Sequence, residues 1–196
     1  MIDDRPLPEF STVDLFGMRW DIVERLVDMV KIHPDPEQQT RAMRMAEIGI
    51  EKGSTFVHML RTQKLGLIVG VDNYNMPEKP QAFNDELEGM YQNLTQVLAE
   101  NNFAGMLVRK SSEEAFLDFP EGFFDIVFVD ALHDFNNVKK DIVMWRSRIR
   151  SGGIIAGHDF SLWHPSVMFA VLSEAEHCFD SRIFLVTETV WFCFVK

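Results

Sequence analysis

The sequence predicts an α/β fold with a mostly parallel, seven-stranded sheet, helices on both faces and a terminal antiparallel strand. Short apolar runs alternate with helix-length amphipathic segments along most of the chain. In residues 124–160 a strand, a polar loop, a helix and a second strand follow one another. A unit of this size favours parallel strands joined by a right-handed crossover. The last two apolar runs are joined by about two residues around Glu188, which predicts an antiparallel hairpin.

Bulk composition limits the functional classes. The chain has 196 residues, 46% hydrophobic and 25% charged, which is typical of one globular domain. A net charge of −11 argues against nucleic acid as a partner, because no basic surface is left to neutralise phosphates. Met1–Glu9 does not resemble a signal peptide, and no apolar stretch could span a bilayer, so we expect a cytoplasmic protein without membrane contact. Cys193 is expected to be a buried, inert thiol.

Residues 1–40 are expected to form an N-terminal helical extension ahead of the main domain, residues 41–196. Apolar residues recur at helical spacing from Met18 to Ile32, and Pro34 and Pro36 then end the helix. Three roles are open for this helix: a lid over the active-site edge, a contact in a homo-oligomer, or a helix that only completes the core.

A glycine-containing turn follows the first strong strand, Met43–Ile50. Gly49 and Gly53 flank the turn, and a helix is expected to start at Ser54 or Thr55. Glycine lets backbone N–H groups approach a ligand closely, and the start of a helix adds positive polarity. The turn lacks both the G-x-G-x-x-G spacing of dinucleotide-binding proteins and the G-K-[ST] ending of a P-loop. A tight turn without a ligand is the alternative.

Asp72 ends the next predicted strand, Leu67–Val71. It lies 19 residues beyond Gly53, where nucleoside-binding α/β folds place an acidic residue that accepts hydrogen bonds from ribose hydroxyls. A solvated carboxylate is the alternative.

Three helices and a short strand, Met106–Val108, are predicted downstream. A long helix covers Gln81–Asn101, and a short one runs to Leu117 with its N-terminus capped by residues 111–114. The third helix is expected to begin near Asn136 or Asn137 and to stop at Gly152-Gly153.

Two aspartates end neighbouring strands of the central unit. The strand Ile126–Val129 stops at Asp130, and the strand Ile154–Ala156 runs through His158 into Asp159. Because parallel strands end at one edge of a sheet, both carboxylates are expected in the crevice where open α/β sheets bind ligands.

These segments resemble the class I S-adenosylmethionine-dependent methyltransferases, whose fold is Rossmann-like. The similarity is to the branch with D-x-x-H-x-[FY] followed by G-G-x-I-x-G-H-D-[FY]. That branch is related to the metal-dependent sugar O-methyltransferases of macrolide pathways and more distantly to catechol O-methyltransferase. The matching stretches are Ala46–Thr55, Gly70–Asn73, Phe124–Phe135, Asp141–Trp145, Gly152–Phe160, Trp163–Val171 and Val190–Trp191, whereas Met1–Arg41 is not matched.

The resemblance implies a site for S-adenosylmethionine. The methionine part would contact Glu47, Gly49 and Gly53, with Ser54 or Thr55 nearby. The ribose would contact Asp72, and the adenine would lie near Ser111 or Ser112. Asp130 would lie against the cofactor as well as in the catalytic centre.

The resemblance also implies a cation site. Asp130 and Asp159 occupy positions where metal-dependent relatives bind a divalent cation, and His158 is a third candidate ligand. Relatives often have a second acidic or amide ligand after the residue matching Asp159, where this chain has Phe160. Oxygen ligands suit Mg²⁺, whereas a histidine favours Mn²⁺ or another transition ion.

His133 and Asp130 are the candidate catalytic residues. A hydroxyl acceptor must lose its proton to a base that titrates near neutral pH, or to a cation that lowers its pKa. His133 is the candidate base, at the position where catechol O-methyltransferase has a lysine. A histidine that only caps its loop, and an aspartate that contacts only cofactor or solvent, are the structural alternatives.

The sequence thus predicts methylation of an oxygen of a small, sugar-like or polyhydroxylated acceptor, with S-adenosylmethionine as cofactor and Mg²⁺ or Mn²⁺ as a candidate. One alternative is a metal-independent methyltransferase acting on nitrogen or a carboxylate. Another is a catalytically idle nucleoside-binding protein of the same fold. An NAD-dependent oxidoreductase is disfavoured by the missing G-x-G-x-x-G motif.

Overall fold

The computed structural model describes residues 9–13, 15–31, 42–101, 103–177 and 182–196. The strands are β1 (Glu9–Thr12), β2 (Arg44–Ile48), β3 (Leu67–Val71), β4 (Gly105–Val108), β5 (Phe124–Val129), β6 (Ile149–Gly157), β7 (Arg182–Leu185) and β8 (Trp191–Phe194). The helices are α1 (Arg19–Lys31), α2 (Ser54–Thr62), α3 (Gln81–Asn101), α4 (Ser112–Phe116), α5 (Phe135–Arg146) and α6 (Pro165–Ser173), followed by a 3₁₀ turn at Ala175–His177. None of the described helices combines the length and the apolar content needed to cross a bilayer.

The strands form one sheet in the order β1-β7-β8-β6-β5-β2-β3-β4. β8 runs antiparallel to both of its neighbours, β6 and β7, and the other pairings are parallel. This confirms the predicted sheet and its terminal hairpin. An eighth strand is added because Glu9–Thr12, within the expected N-terminal helical extension, pairs with the open edge of β7.

Helices cover both faces of the sheet, because alternate strand residues point to opposite sides. One face packs against α4, α5 and α6, and the other against α1, α2 and α3. The apolar stripe of α1, including Ile22, Val23 and Leu26, is fully buried on the second face. This helix therefore contributes to the core. Its roles as a lid or an oligomer contact stay predictions.

The boundaries of the central crossover differ from those expected. Helix α5 is capped by Asp134, whose Oδ1 accepts from the backbone N of Asn137 at 3.1 Å, rather than by Asn136 or Asn137. It ends at Arg146, and Gly152-Gly153 lies inside β6 instead of closing the helix. The pair of glycines forms an irregularity in the strand. The pairing with β5 shifts register at residues 124–126, and Gly152 has a positive φ of 73°.

Cys193 lies on β8 and is buried, as expected. It is disulfide-bonded, which corrects the expectation of a free thiol. The other cysteine of the chain, Cys178, lies outside the described residues.

The turns after β2 and β5 pack backbone against backbone. Gly49 has a φ of 84°, and its backbone N donates to the carbonyl of Val71 at 2.9 Å. A Cβ atom at this position would lie 2.4 Å from the carbonyl oxygen of Asp130 and 2.5 Å from the Cα atom of Ala131. This contact fixes the distance between the predicted cofactor turn and Asp130.

A buried polar cluster joins α4 to α5. The Ser112 hydroxyl donates to Oδ1 of Asp141 and accepts from Nε1 of Trp145 at 2.8 Å. Only 5% of Asp141 is exposed, and this burial raises the pKa of its carboxyl to about 6, although the Ser112 hydrogen bond opposes the shift.

We expect Gly49→Ala to destabilise the fold by about 2 kcal/mol or more, because the new Cβ meets backbone atoms at a positive φ. Urea unfolding of the purified variants measures the change. Gly89→Ala is the matched control: a Cβ there meets nothing within 4 Å, and alanine should stabilise α3 by about 0.5–1 kcal/mol. Equal effects at the two glycines would contradict the packing described here.

The stability of the wild type relative to Asp141→Asn should depend on pH. Because folding raises the pKa of Asp141 above its unfolded value of about 3.9, its contribution is greatest below pH 4 and is lost as the pH rises through about 6. Between pH 4 and 7 we expect the wild type to lose about 2 kcal/mol relative to Asp141→Asn. Urea unfolding at several pH values tests this. The exposed control Asp85→Asn should show the same pH dependence of stability as the wild type. The same pH dependence of stability in the wild type and in Asp141→Asn would refute the prediction.

Candidate active site

The candidate site lies at the carboxyl edge of the parallel strands. Glu47 is the second-to-last residue of β2, and Asp72, Asp130 and Asp159 follow β3, β5 and β6 closely. Because these strands are neighbours in the sheet, the fold brings all four carboxyl groups to one crevice.

Glu47 has the features of a residue that contacts a bound ligand. Only 2% of it is exposed, and its Oε2 finds no hydrogen-bond partner among the described residues. Burial raises the pKa of this carboxyl well above its usual range, and the nearby charge of Asp130 adds to the effect. Oγ1 of Thr55, at the start of α2, is likewise buried without a partner in the described part of the chain. Unpaired buried polar atoms are costly, so both atoms suit the amino and carboxylate groups of an amino-acid ligand.

Asp72 holds the loops around it. Its Oδ2 accepts from the backbone N of Glu51 at 3.0 Å, and its Oδ1 accepts from the backbone N of Tyr74 at 2.8 Å. A carboxylate oxygen has two lone pairs, so each can accept a further hydrogen bond, such as one from a ribose hydroxyl. Its predicted ribose contact stays a prediction.

Tyr74 is an additional residue of this crevice, and sequence reasoning assigned it no role. It has a φ of 51°, is 2% exposed, and its ring lies 5.3 Å from the ring of Tyr91. Burial raises the pKa of its hydroxyl, which has no hydrogen-bond partner among the described residues.

Ser111 and Ser112 both serve the structure of α4. Ser111 is the N-cap, and its side chain forms a capping box with Glu114, as predicted. The Ser112 hydroxyl lies between Asp141 and Trp145. Both serines follow β4 at the same edge of the sheet, and their contact with adenine stays a prediction.

The predicted catalytic and metal residues come together around Asp159. Its Oδ2 lies 2.9 Å from Nε2 of His133, and its Oδ1 lies 3.2 Å from Nδ1 of His158. The same His158 nitrogen lies 3.7 Å from Oδ1 of Asp130. A third imidazole also reaches this group, because Nε2 of His164 lies 3.7 Å from Oδ1 of Asp159.

A tight backbone turn returns His164 to Asp159. The backbone N of Ser161 donates to the Asp159 carbonyl at 2.8 Å, and the backbone N of His164 donates to the Ser161 carbonyl at 3.0 Å. Asp159 itself has a φ of 61°, a conformation that aspartate tolerates better than most residues. Sequence reasoning did not place His164 in this group, because nothing in the spacing shows that this loop doubles back.

Arg19 on α1 pairs with Asp130. Its Nη1 donates to Oδ2 of Asp130 at 2.5 Å, and the two side chains are 25% and 10% exposed. Burial raises the pKa of Asp130, and the Arg19 charge opposes that shift. Sequence reasoning missed this residue, because 111 positions separate the partners and residues 1–41 carry no motif.

The position of α1 is fixed by a second ionic contact. Lys64, just after α2, lies 2.7 Å from Glu24 and 2.7 Å from Asp28, both on α1. Nε2 of His58 lies 3.0 Å from the same Glu24. These contacts hold Arg19 over the crevice.

The side chains fit a transition ion better than Mg²⁺. Two groups have ligand atoms that lie within 4.8 Å of one another: Asp130, His158 and Asp159, and separately His133, Asp159 and His164. Together they offer three imidazoles and two carboxylates, whereas Mg²⁺ prefers oxygen ligands alone. Such a mixed set suits Mn²⁺ and the later transition ions.

Exposed apolar side chains border the outer side of this cluster. Leu162 is 87% exposed and Trp163 is 91% exposed, and both precede His164 in the same loop. Leu132, beside His133, is 50% exposed. These residues offer an apolar surface next to the histidines.

Several solved structures share this fold. A putative caffeoyl-CoA O-methyltransferase from Staphylococcus aureus aligns with a TM-score of 0.62 and 15% identity, covering 93% of this chain and 84% of that chain. The apo structure of CalS11, a TDP-rhamnose 3'-O-methyltransferase of calicheamicin biosynthesis, gives 0.57 and 13%, covering 90% and 78%. Spermidine synthase from Thermotoga maritima gives 0.57 and 12%, covering 91% and 59%. At such low identity these similarities show the fold, which is the predicted Rossmann-like one.

Sequence comparison shows the family. An uncharacterized protein of Acanthamoeba polyphaga mimivirus is 26% identical over 130 residues, which are 64% of this chain and 56% of that protein. The chain thus spans little more than half the length of this relative. The family model described as a methyltransferase domain matches residues 46–160, more than half of the 196-residue chain, and its range includes all the predicted site residues from Glu47 to Asp159. The chain therefore belongs to the methyltransferase domain family.

Proposed function

We propose that this enzyme methylates an oxygen atom of a small, polyhydroxylated acceptor such as a sugar, with His133 as the base. The observation that carries the proposal is the contact between His133 and Asp159. The two side chains lie 2.9 Å apart, and 44% of the His133 side chain is exposed at the mouth of the crevice. An acceptor can therefore reach the ring, and the carboxylate beside it stabilises the imidazolium formed when the ring takes a proton.

The cofactor crevice supports the first half of the reaction. When bound, S-adenosylmethionine supplies a methyl group on a sulfonium, which is displaced in line by the acceptor. We assign the methionine part to Glu47, Gly49, Gly53, Ser54 and Thr55, the ribose to Asp72, and the adenine to the loop with Ser111 and Ser112. The buried oxygens of Glu47 and Thr55, which have no hydrogen-bond partner among the described residues, support this assignment. Holding the reactants in place supplies much of the catalysis in such a displacement.

The second half of the reaction is removal of the acceptor proton. Contact with Asp159 through Nε2 leaves Nδ1 of a neutral His133 ring as the proton acceptor. Asp130 carries a negative charge that Arg19 balances, so this pair fixes the electrostatic surroundings of the acceptor without itself taking a proton.

A divalent cation is a proposed, additional component. Asp130, Asp159 and His158 would hold it, and when bound it would lower the pKa of an acceptor hydroxyl. The two carboxylates and one imidazole favour Mn²⁺ over Mg²⁺. The ion pair between Arg19 and Asp130 would open to admit it.

That ion pair also favours a second candidate, a metal-independent methyltransferase acting on nitrogen or a carboxylate. Arg19 already places a positive charge against Asp130 at 2.5 Å. Full activity after chelation, with amine or carboxylate acceptors preferred in a substrate panel, would support this candidate. Cofactor binding without turnover of any acceptor would indicate an idle nucleoside-binding protein.

Calorimetric titration with S-adenosylhomocysteine tests the cofactor site. We expect micromolar binding to the wild type and weakening of about 10-fold to 100-fold in Asp72→Ala, because charge-assisted hydrogen bonds are lost. Asp85→Ala, an exposed aspartate on α3, is the control and should bind as the wild type does. Unchanged binding in Asp72→Ala would overturn the ribose assignment.

Replacement of the base should separate catalysis from binding. We expect His133→Ala to lower kcat by about 10²-fold to 10⁴-fold, the usual contribution of a positioned base, with little change in affinity for S-adenosylhomocysteine. Single-turnover rates with a panel of sugars and phenols measure it. His177→Ala removes an equally exposed imidazole from the 3₁₀ turn and serves as control. Wild-type turnover in His133→Ala would rule out its role as the base.

A further inference from the structure

We propose that His133, Asp159 and His164 form an inhibitory transition-metal site, which shares only Asp159 with the set of Asp130, His158 and Asp159. The inhibition rests on the proposed role of His133 as the base, whereas the binding of metal does not. We refer to His133, Asp159 and His164 as the outer set and to Asp130, His158 and Asp159 as the inner set.

The outer set has the composition and spacing of a metal site. The two imidazoles approach different oxygens of one carboxylate: His133 lies 2.9 Å from Oδ2 and His164 lies 3.7 Å from Oδ1 of Asp159. The two rings lie 4.8 Å apart at an interplanar angle of 61°. One ligand atom of each residue lies within 4.8 Å of the others, so a small movement would close all three on one ion. Two imidazoles and a carboxylate suit Zn²⁺, Co²⁺ and Ni²⁺.

The surroundings of the outer set are open to solvent. The side chains of His133 and His164 are 44% and 38% exposed. An ion can therefore enter from solvent and keep water ligands on its free side. The backbone turn from Asp159 to His164 presents the second histidine before any ion arrives, which lowers the ordering cost of binding.

The charges favour the outer set over the inner set. Arg19 is already paired with Asp130, so an ion at the inner set would meet a guanidinium at once. Among the described residues, the ion-pair partners of Asp159 are three histidines, which bind metal in their neutral form. The positive charge on α1 thus leaves Asp159 as the carboxylate with unbalanced charge.

A metal at the outer set would withdraw the base. A coordinated neutral imidazole has its lone pair on the metal, and its other nitrogen carries hydrogen. His133 could then take no proton from the acceptor. Zinc and related ions are therefore expected to inhibit this enzyme.

Cobalt binding tests the site without any assay of activity. Tag-free protein is titrated with Co²⁺ and followed by visible absorption, with Zn²⁺ competition by calorimetry. We expect one Co²⁺ per wild-type chain, and binding weakened by about 10-fold or more in His164→Ala, since one of three ligands is lost. His177→Ala controls for the loss of a surface imidazole and should bind as the wild type does. Unchanged Co²⁺ binding in His164→Ala would overturn the proposal.

Arg19→Met separates the two sets. If the outer set binds the ion, adding His164→Ala to Arg19→Met weakens Co²⁺ binding as much as His164→Ala does in the wild type. If binding is instead lost in Asp130→Asn and strengthened in Arg19→Met, the ion occupies the inner set and the proposal fails.

Turnover measurements complete the test. For each variant the rate with Zn²⁺ is divided by the metal-free rate of the same variant. We expect variants that bind Co²⁺ more weakly to be inhibited less by Zn²⁺. Turnover without any Co²⁺ binding would overturn the metal site alone. Co²⁺ binding in protein that turns over no acceptor would leave the site standing and would overturn the proposed function.

Discussion

The convergence of four carboxyl groups at one sheet edge constrains the rest of this protein. Parallel strands end together, and the residues at or just beyond their ends here are acidic: Glu47, Asp72, Asp130 and Asp159. Each of these groups must be neutralised or given hydrogen-bond donors, because unpaired charges in a crevice repel one another at low dielectric.

The four carboxyl groups are accommodated in four different ways. Burial favours the neutral form of Glu47 by raising its pKa. Two backbone N–H groups donate to Asp72. The guanidinium of Arg19 pairs with Asp130, and three imidazoles surround Asp159. The first two arrangements suit the proposed contacts with a nucleoside and an amino acid, while the last two leave imidazoles and carboxylates beside the proposed acceptor position.

The strand-end positions could be predicted because they depend on local sequence. An apolar run that stops at an aspartate marks a strand end, and parallel order then places Asp130 and Asp159 at one edge whatever the loops do. The turn at Gly49 and the capping box at Ser111 are also local patterns, and the structure shows both.

The remaining contacts depend on how distant segments pack. Arg19 reaches Asp130 only because α1 lies across the sheet, and no spacing within residues 1–41 indicates that position. His164 reaches Asp159 through a loop whose course is set by backbone hydrogen bonds. The end of α5 was misplaced because Gly152-Gly153 suits a helix end and a strand irregularity equally well, and pairing of Ile149 with Phe124 decides between them.

The left-handed backbone of Asp159 limits which residues natural variation can place there. At a φ of 61°, glycine, asparagine, aspartate and histidine are the residues that adopt the backbone conformation most readily. Of these residues, aspartate alone carries a negative charge. Homologues that keep this turn are thus biased towards a short carboxylate or none at this position, and an evolutionary change of acceptor or ion is expected to come from the surrounding histidines.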